Sequence, residues 1–140
     1  MPELHERHEI EALLRRSRRI AVLGISSKES KAGYYVPEYL NHHGYEIYGV
    51  NPNLEGTVLF GHTVVASLAD LDTEIDMVDV FRRPNWLPAH LPELLALAPS
   101  SVWLQLGVRH DQVAQALQNA GIDVVQDRCT MADHRRWVRR

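Results

Sequence analysis

Two apolar runs with one helical stretch between them constrain this chain more than any other feature. The first is Arg19-Ile20-Ala21-Val22-Leu23-Gly24-Ile25-Ser26-Ser27-Lys28, a buried-type strand that runs into a turn of small residues. The second is Tyr45-Glu46-Ile47-Tyr48-Gly49-Val50-Asn51-Pro52, a strand of the same kind. Between them, residues 34–44 carry Val36, Tyr39 and Leu40 on one helical face and stop at Gly44. Near-continuous apolar strands belong inside a parallel sheet, and parallel neighbours need a crossover between them. A strand, small-residue turn and helix in that order point backbone N–H groups at the helix N-terminus, where an anion is stabilised. The second strand ends in Val50-Asn51-Pro52, without an acid. An NAD site ordinarily wants a carboxylate there for the ribose 2′-hydroxyl. The unit therefore reads as nucleotide-binding, but not for NAD.

The alternation continues along the chain. Residues 4–16 read as a helix with Ile10, Leu13 and Leu14 as its apolar stripe. Residues 56–60 are a loop or short extended piece, 63–66 a short strand and 67–71 a helical turn. Residues 75–81 form a strand, 88–97 a helix and 101–105 a strand. Residues 111–120 are a helix ended by Gly121, 122–125 a final strand and 131–138 a short closing helix. Pro37 is expected in the first turn of its helix, where a missing N–H costs little. This pattern predicts one Rossmann-like α/β domain over residues 1–140, a mostly parallel open sheet with helices on both faces. No repeat, linker or low-complexity segment marks a second domain.

Composition excludes several classes. A net charge of -3 lacks the basic footprint of a non-specific nucleic-acid binder. One cysteine, Cys129, rules out an intramolecular disulfide and fits a reducing compartment. No apolar stretch is long enough to cross a membrane, and the charged N-terminus lacks a signal peptide's apolar run. A cytoplasmic protein without membrane or nucleic-acid partners is expected.

Ligands of open α/β sheets sit outside the strand C-termini. That edge should gather Gly24, Ile25, Ser26, Ser27 and Lys28, with Lys31 and Tyr34 at the start of the next helix. It should also gather Asn51, Pro52 and Asn53; Phe81, Arg82, Arg83 and Pro84; Leu106, Gly107 and Val108; and the run Asp127-Arg128-Cys129. The first loop offers N–H groups, hydroxyls and Lys28 to a phosphate, with Gly24 allowing close backbone approach. The second lies where a ribose or adenine would rest. The third adds an aromatic ring and two guanidinium groups, against the plain alternative of two solvated surface arginines.

No catalytic set can be assembled. The chain lacks a Gly-x-Ser-x-Gly elbow and a Gly-x-x-x-x-Gly-Lys-Ser/Thr loop. The pairs His5/His8 and His42/His43 have no third ligand at a recognisable spacing, so no metal site is expected. Asp76 and Asp79 fall on opposite faces of one strand, and Asp79 reads as a buried, hydrogen-bonded carboxylate. Trp86 and Trp103 read as packing residues. Cys129 has one sharper reading, thiol–disulfide exchange with a disulfide held at the site edge, if Arg128 or a helix N-terminus lowers its pKa. Against this stands the ordinary inert core cysteine.

Several motifs taken in order carry a resemblance. They are Val22-Leu23-Gly24-Ile25-Ser26 with Lys28, Gly44-Tyr45 leading into Val50-Asn51-Pro52, and Asp76-Met77-Val78-Asp79-Val80-Phe81-Arg82. Trp103-Leu104-Gln105-Leu106-Gly107-Val108, Ala120-Gly121 and Asp127-Arg128-Cys129 complete the set. Together the chain resembles the small bacterial CoA-binding proteins, which are similar to the N-terminal CoA-binding domain of the succinyl-CoA synthetase alpha subunit. The resemblance implies a Rossmann-like fold that binds coenzyme A through its ADP part, with CoA or acyl-CoA as the partner molecule. It implies no reaction, and the synthetase's phosphohistidine domain is absent. Asn53 and Tyr35 stand where relatives often carry basic residues, leaving Lys28, Lys31, Arg82 and Arg83 as cations for the ribose 3′-phosphate. The expectation is a non-enzymatic carrier, sensor or regulatory module of acyl-CoA metabolism. The alternatives are an NAD(P)-dependent oxidoreductase and a CoA-binding subunit of a multi-chain acyl-CoA enzyme.

Overall fold

The computed structural model describes residues 3–139. Helix α1 (Arg7–Arg16) leads into strand β1 (Arg19–Leu23), helix α2 (Ala32–His42) and strand β2 (Glu46–Val50). A small excursion follows, in which β3 (Val58–Leu59) and β4 (His62–Thr63) pair as an antiparallel hairpin. The α/β alternation then resumes with β5 (Met77–Val80), α3 (Leu87–Leu97), β6 (Ser101–Leu104), α4 (Asp111–Asn119) and β7 (Asp123–Val125). Helix α5 (Thr130–Asp133) closes the described chain and runs on into a π turn, His134–Val138.

Five strands form one parallel sheet in the order β2-β1-β5-β6-β7. The first crossover steps one way from β1 and every later one steps the other way. Direction therefore reverses between β1 and β5, and such a reversal opens a crevice above the strand C-termini. Leu23 is in register with Val50 on one side and Val80 on the other, so three strands end level at that crevice.

Side chains alternate across the sheet and build a core on each face. Ala21, Leu23, Val78, Val80, Val102 and Leu104 pack under Leu87 and Leu94 of α3 and Val113 and Leu117 of α4. Ile20, Val22, Ile47, Met77, Trp103 and Val125 pack under Ile10, Leu13 and Leu14 of α1 and Val36 and Leu40 of α2. Burial on both faces is the reason these strands read as apolar runs.

Two expectations change. The 63–66 strand reduces to one parallel bridge between Val65 and Val50, while His62–Thr63 turns back on Val58–Leu59. Pro37 lies inside α2, beyond its first turn, because the helix begins at Ala32 rather than Tyr34. In an unbroken helix the N–H at position 37 would bond the Gly33 carbonyl. That carbonyl instead accepts the Ser26 N–H at 3.1 Å, so the helix defect ties the β1 loop to α2.

Candidate functional site

A cleft of about 850 Å³ lies outside the strand C-termini, over the β1/β5 reversal. Gly24, Ile25, Ser26, Ser27 and Lys28 line it from the β1 loop, Lys31 from the α2 entry, and Asn51 and Asn53 from the β2 loop. Phe81, Arg82 and Arg83 line it after β5, and Leu106 and Gly107 after β6. Tyr34, Pro52, Asp127 and Arg128 were expected at this edge but lie off the lining. Tyr34 turns its ring to Phe60, with centroids 5.2 Å apart, and Pro52 opens an exposed 3-10 turn.

The N–H groups available to an anion differ from those expected. The Ser26 N–H is engaged by Gly33, and the Lys28 N–H donates to Ser26 Oγ at 3.0 Å. Helix α2 starts without a side-chain cap, and the N–H groups of Ala32 and Gly33 have no partner among the described residues. Unpaired N–H groups in a first helical turn carry the positive end of the helix dipole. Lys28 and Lys31 are exposed on the loop that leads into this turn. The unpaired N–H groups on the lining thus include those of Ser27, Ala32 and Gly33, while that of Ser26 is taken by the Gly33 carbonyl.

Gly33 passed unnoticed in the sequence. A Cβ there would meet the Gly24 carbonyl oxygen at 3.1 Å, so its bareness lets α2 dock against the β1 loop. Gly24 has a different reason from the one expected. Its φ is +89°, and a Cβ would lie 2.8 Å from the Phe81 carbonyl oxygen. Its bareness lets the β1 and β5 loops touch.

Asn51 explains the missing acid. Its Nδ2 donates to the Ile25 carbonyl at 2.8 Å, and its Oδ1 accepts the Asn53 N–H at 2.9 Å. A carboxylate cannot donate, so Asp would leave the Ile25 carbonyl facing an anion. The side chain joins two cleft loops through both ends of its amide.

The two arginines behave differently. The Arg82 guanidinium lies 5.1 Å from the Trp86 ring centroid, and its Nε donates to His90 Nε2 at 3.4 Å. His90 Nδ1 pairs with Glu93 Oε2 at 3.3 Å, and Glu93 Oε1 accepts the Leu68 N–H at 2.8 Å. Arg82 is thereby held in the cleft wall. Arg83 is exposed, without an ion pair among the described residues. Trp86 is half exposed and stacks a cation, so it is not the packing residue expected; Trp103 is fully buried.

Beneath the cleft Asp79 is fully buried, as its position in β5 predicted. Gln105 Nε2 donates to Asp79 Oδ1 at 2.7 Å and contacts Thr130 Oγ1 at 2.7 Å; Thr130 Oγ1 donates to Asp79 Oδ2 at 3.0 Å. Burial pushes the carboxyl up to about 7 against these two donors, which hold it down. Cys129 and Met131 flank Thr130 and line the cleft. The Cys129 thiol is pushed up by burial, with the N–H groups of Ala132 and Met131 opposing. Arg128 does not lower it, because its guanidinium forks onto Asp133 at 2.6 and 2.9 Å and lies 5.0 Å from the Trp137 centroid. A raised thiol is a poor attacking group, so the exchange reading loses its physical basis. Among the described residues no cluster of three or more His, Cys, Asp or Glu side chains could hold a metal ion.

Pro84 and Val108 line the cleft as expected, and Gln105, Ala32, Gly33, Tyr35, Val36, Leu54 and Met131 also line it and were missed. Gln105 was legible in principle, as a polar residue closing an apolar strand. Val36 and Met131 were not, because nothing local separates a cleft-facing apolar residue from a core one.

Comparison with known proteins agrees with this geometry. The uncharacterised protein YneT of Bacillus subtilis (strain 168) is 36% identical over 126 residues, 90% of this chain and 92% of that protein. A solved structure from Thermus thermophilus is 48% identical with a TM-score of 0.92, covering 95% of this chain and 99% of its own. A hypothetical protein from Pyrococcus horikoshii OT3 is 28% identical with a TM-score of 0.89, covering 99% of each chain. A family model described as a CoA binding domain matches residues 18–135, which span the whole sheet and every cleft loop. The chain therefore belongs to the CoA binding domain family.

Proposed function

We propose that this cytoplasmic protein binds coenzyme A or an acyl-CoA through its ADP moiety in the cleft. It acts as a carrier, sensor or regulatory module without catalysis of its own. The observation that carries this reading is the uncapped first turn of α2, whose Ala32 and Gly33 line the cleft together with Lys28 and Lys31 and have unpaired N–H groups among the described residues. Those groups suit a pyrophosphate, since backbone donors and the helix dipole act together on an anion. Arg83 supplies an exposed guanidinium for the ribose 3′-phosphate, and Arg82 a fixed one. Asn51 joins loops and offers no carboxylate to a ribose 2′-hydroxyl, which disfavours NAD.

Calorimetric titration with both ligands tests the reading. CoA should bind at least about tenfold more tightly than NAD, or ~1.4 kcal/mol. Equal or reversed affinities would remove it. Common acyl-CoAs should be neither hydrolysed nor transacylated above background, a reading supported by the lack of a nucleophile, base and orienting group together among the described residues that line the cleft. Turnover lost on changing one cleft residue would show a catalytic group.

A further inference from the structure

Of the three side chains in the ring beneath the cleft, Gln105 alone also lines the cleft. Its amide has ends of opposite chemistry, a nitrogen that donates and an oxygen that accepts. The nitrogen faces inward and uses both hydrogens, one on Asp79 Oδ1 at 2.7 Å and one on Thr130 Oγ1 at 2.7 Å. The Thr130 hydroxyl passes its own hydrogen to Asp79 Oδ2 at 3.0 Å. With the Asp79 carboxyl ionised, the turned-over amide would set its oxygen against a carboxylate oxygen and against a hydroxyl whose hydrogen is already used. The ring closes with the nitrogen inward.

The amide oxygen is then what remains for the cleft. It has no hydrogen-bond partner among the described residues, and no buried side-chain oxygen there lacks one, so this atom reaches the cleft rather than the core. An acceptor repels phosphate oxygens and selects an N–H or O–H donor. Its neighbours on the lining are Leu106, Val108, Cys129 and Met131, a soft apolar wall away from the cationic loops. An apolar chain interrupted by amide groups fits such a wall better than a charged one.

Resting on the CoA reading above, we infer that Gln105 presents its amide oxygen to an amide N–H of the pantetheine arm, and that Asp79 and Thr130 are positioning residues that hold the amide this way round. The arm, unlike the nucleotide, is then recognised from β6 and the start of α5.

The test compares CoA with adenosine 3′-phosphate 5′-diphosphate, which lacks the arm, by calorimetry on the full chain well above pH 7, where the Asp79 carboxyl is ionised. Gln105→Met keeps the length and removes the acceptor. It should weaken CoA by about three- to tenfold, the worth of one neutral hydrogen bond, and leave the nucleotide unchanged. Unchanged CoA affinity, or equal loss for both ligands, would overturn the inference. Asp79→Leu removes both carboxylate acceptors, so nothing holds the amide nitrogen inward; it should reproduce the selective loss and add nothing further to Gln105→Met in the double variant. Additive losses would overturn the positioning role. If Gln105→Met does not fold, Asp79→Leu decides alone: selective loss supports the inference, no loss refutes it. A wild-type chain that binds the nucleotide but gains nothing from the arm also refutes it. A chain that binds neither ligand removes the CoA reading itself.

Discussion

Gly24 and Phe81 meet where the sheet reverses direction: a Cβ on Gly24 would lie 2.8 Å from the Phe81 carbonyl oxygen. The Phe81 N–H in turn donates to the Leu23 carbonyl at 2.8 Å, so the two strand ends are fastened on both sides of the contact. The Arg82 stem closes over the same spot, with its Cδ 3.1 Å from the position of that Cβ.

Replacing Gly24 should therefore damage the fold before it damages binding. Gly24→Ala introduces both a backbone clash and a side chain at φ +89°. The expected loss is about 2–4 kcal/mol, the scale of a strained backbone position plus a contact that must shift. Urea unfolding measures it; a stable Gly24→Ala protein with lost affinity would mean the glycine serves the ligand instead.

Pro37→Ala restores an N–H that competes for the Gly33 carbonyl. Relieving a helix-interior proline is ordinarily worth up to about 3 kcal/mol. Here the freed carbonyl is already satisfied by Ser26, so the gain should stay under about 1 kcal/mol. The clearer signal is hydrogen exchange at the Ser26 amide, which should accelerate. Unchanged protection there would show that the loop does not depend on the helix defect.

Arg82→Ala with Arg83→Ala should weaken CoA by roughly 1–3 kcal/mol, the range for charge-assisted hydrogen bonds. Dephospho-CoA should lose less if either guanidinium meets the 3′-phosphate. Because Trp86 and His90 hold Arg82, Trp86→Ala should mimic the Arg82 loss while leaving that of Arg83 intact. Titrations at low and high salt decide: no loss for either ligand leaves the pair as surface charge only.

Asp79 and His134 should pull the stability–pH curve in opposite directions. The Asp79 carboxyl rises from 3.8 to about 7, so the folded protein holds a proton that the unfolded chain has lost. Its contribution is whole below pH 3.8 and is lost as pH rises through about 7. The His134 ring, nearly buried with its Nδ1 2.9 Å from Tyr39 Oη, is pushed down from 6.5 to about 4, chiefly by burial. Its contribution is whole above pH 6.5 and is lost as pH falls toward about 4. Relative to wild type, Asp79→Asn stability should climb more steeply from pH 4 to 6.5. His134→Gln stability should fall more steeply from pH 4 to 7. Parallel curves for wild type and both variants would refute the assignment.

The sequence by itself determined the architecture and the edge on which the cleft opens. Apolar runs such as Ile20–Leu23 and Met77–Val80 can only be strands buried on both faces, and the helical stretches between them compel parallel pairing. Parallel strands joined this way bring the loops after each strand to one edge, which is why Gly24, Asn51, Phe81 and Leu106 were legible as neighbours before any distance was known. The family motifs supplied the ligand class for that edge.

What tertiary structure decided is which atom of each residue faces the cleft. Gly24 is bare for the sake of Phe81, the Ser26 N–H is turned to Gly33 by a proline eleven positions on, and Tyr34 leaves the site for Phe60. Gln105 gains its orientation from Asp79 and Thr130, at separations of 26 and 25 residues. Periodicity reports which side of an element is apolar, because burial acts on every residue of that element alike. The direction of a single N–H or amide depends instead on partners that folding brings from elsewhere in the chain, and no local pattern records them.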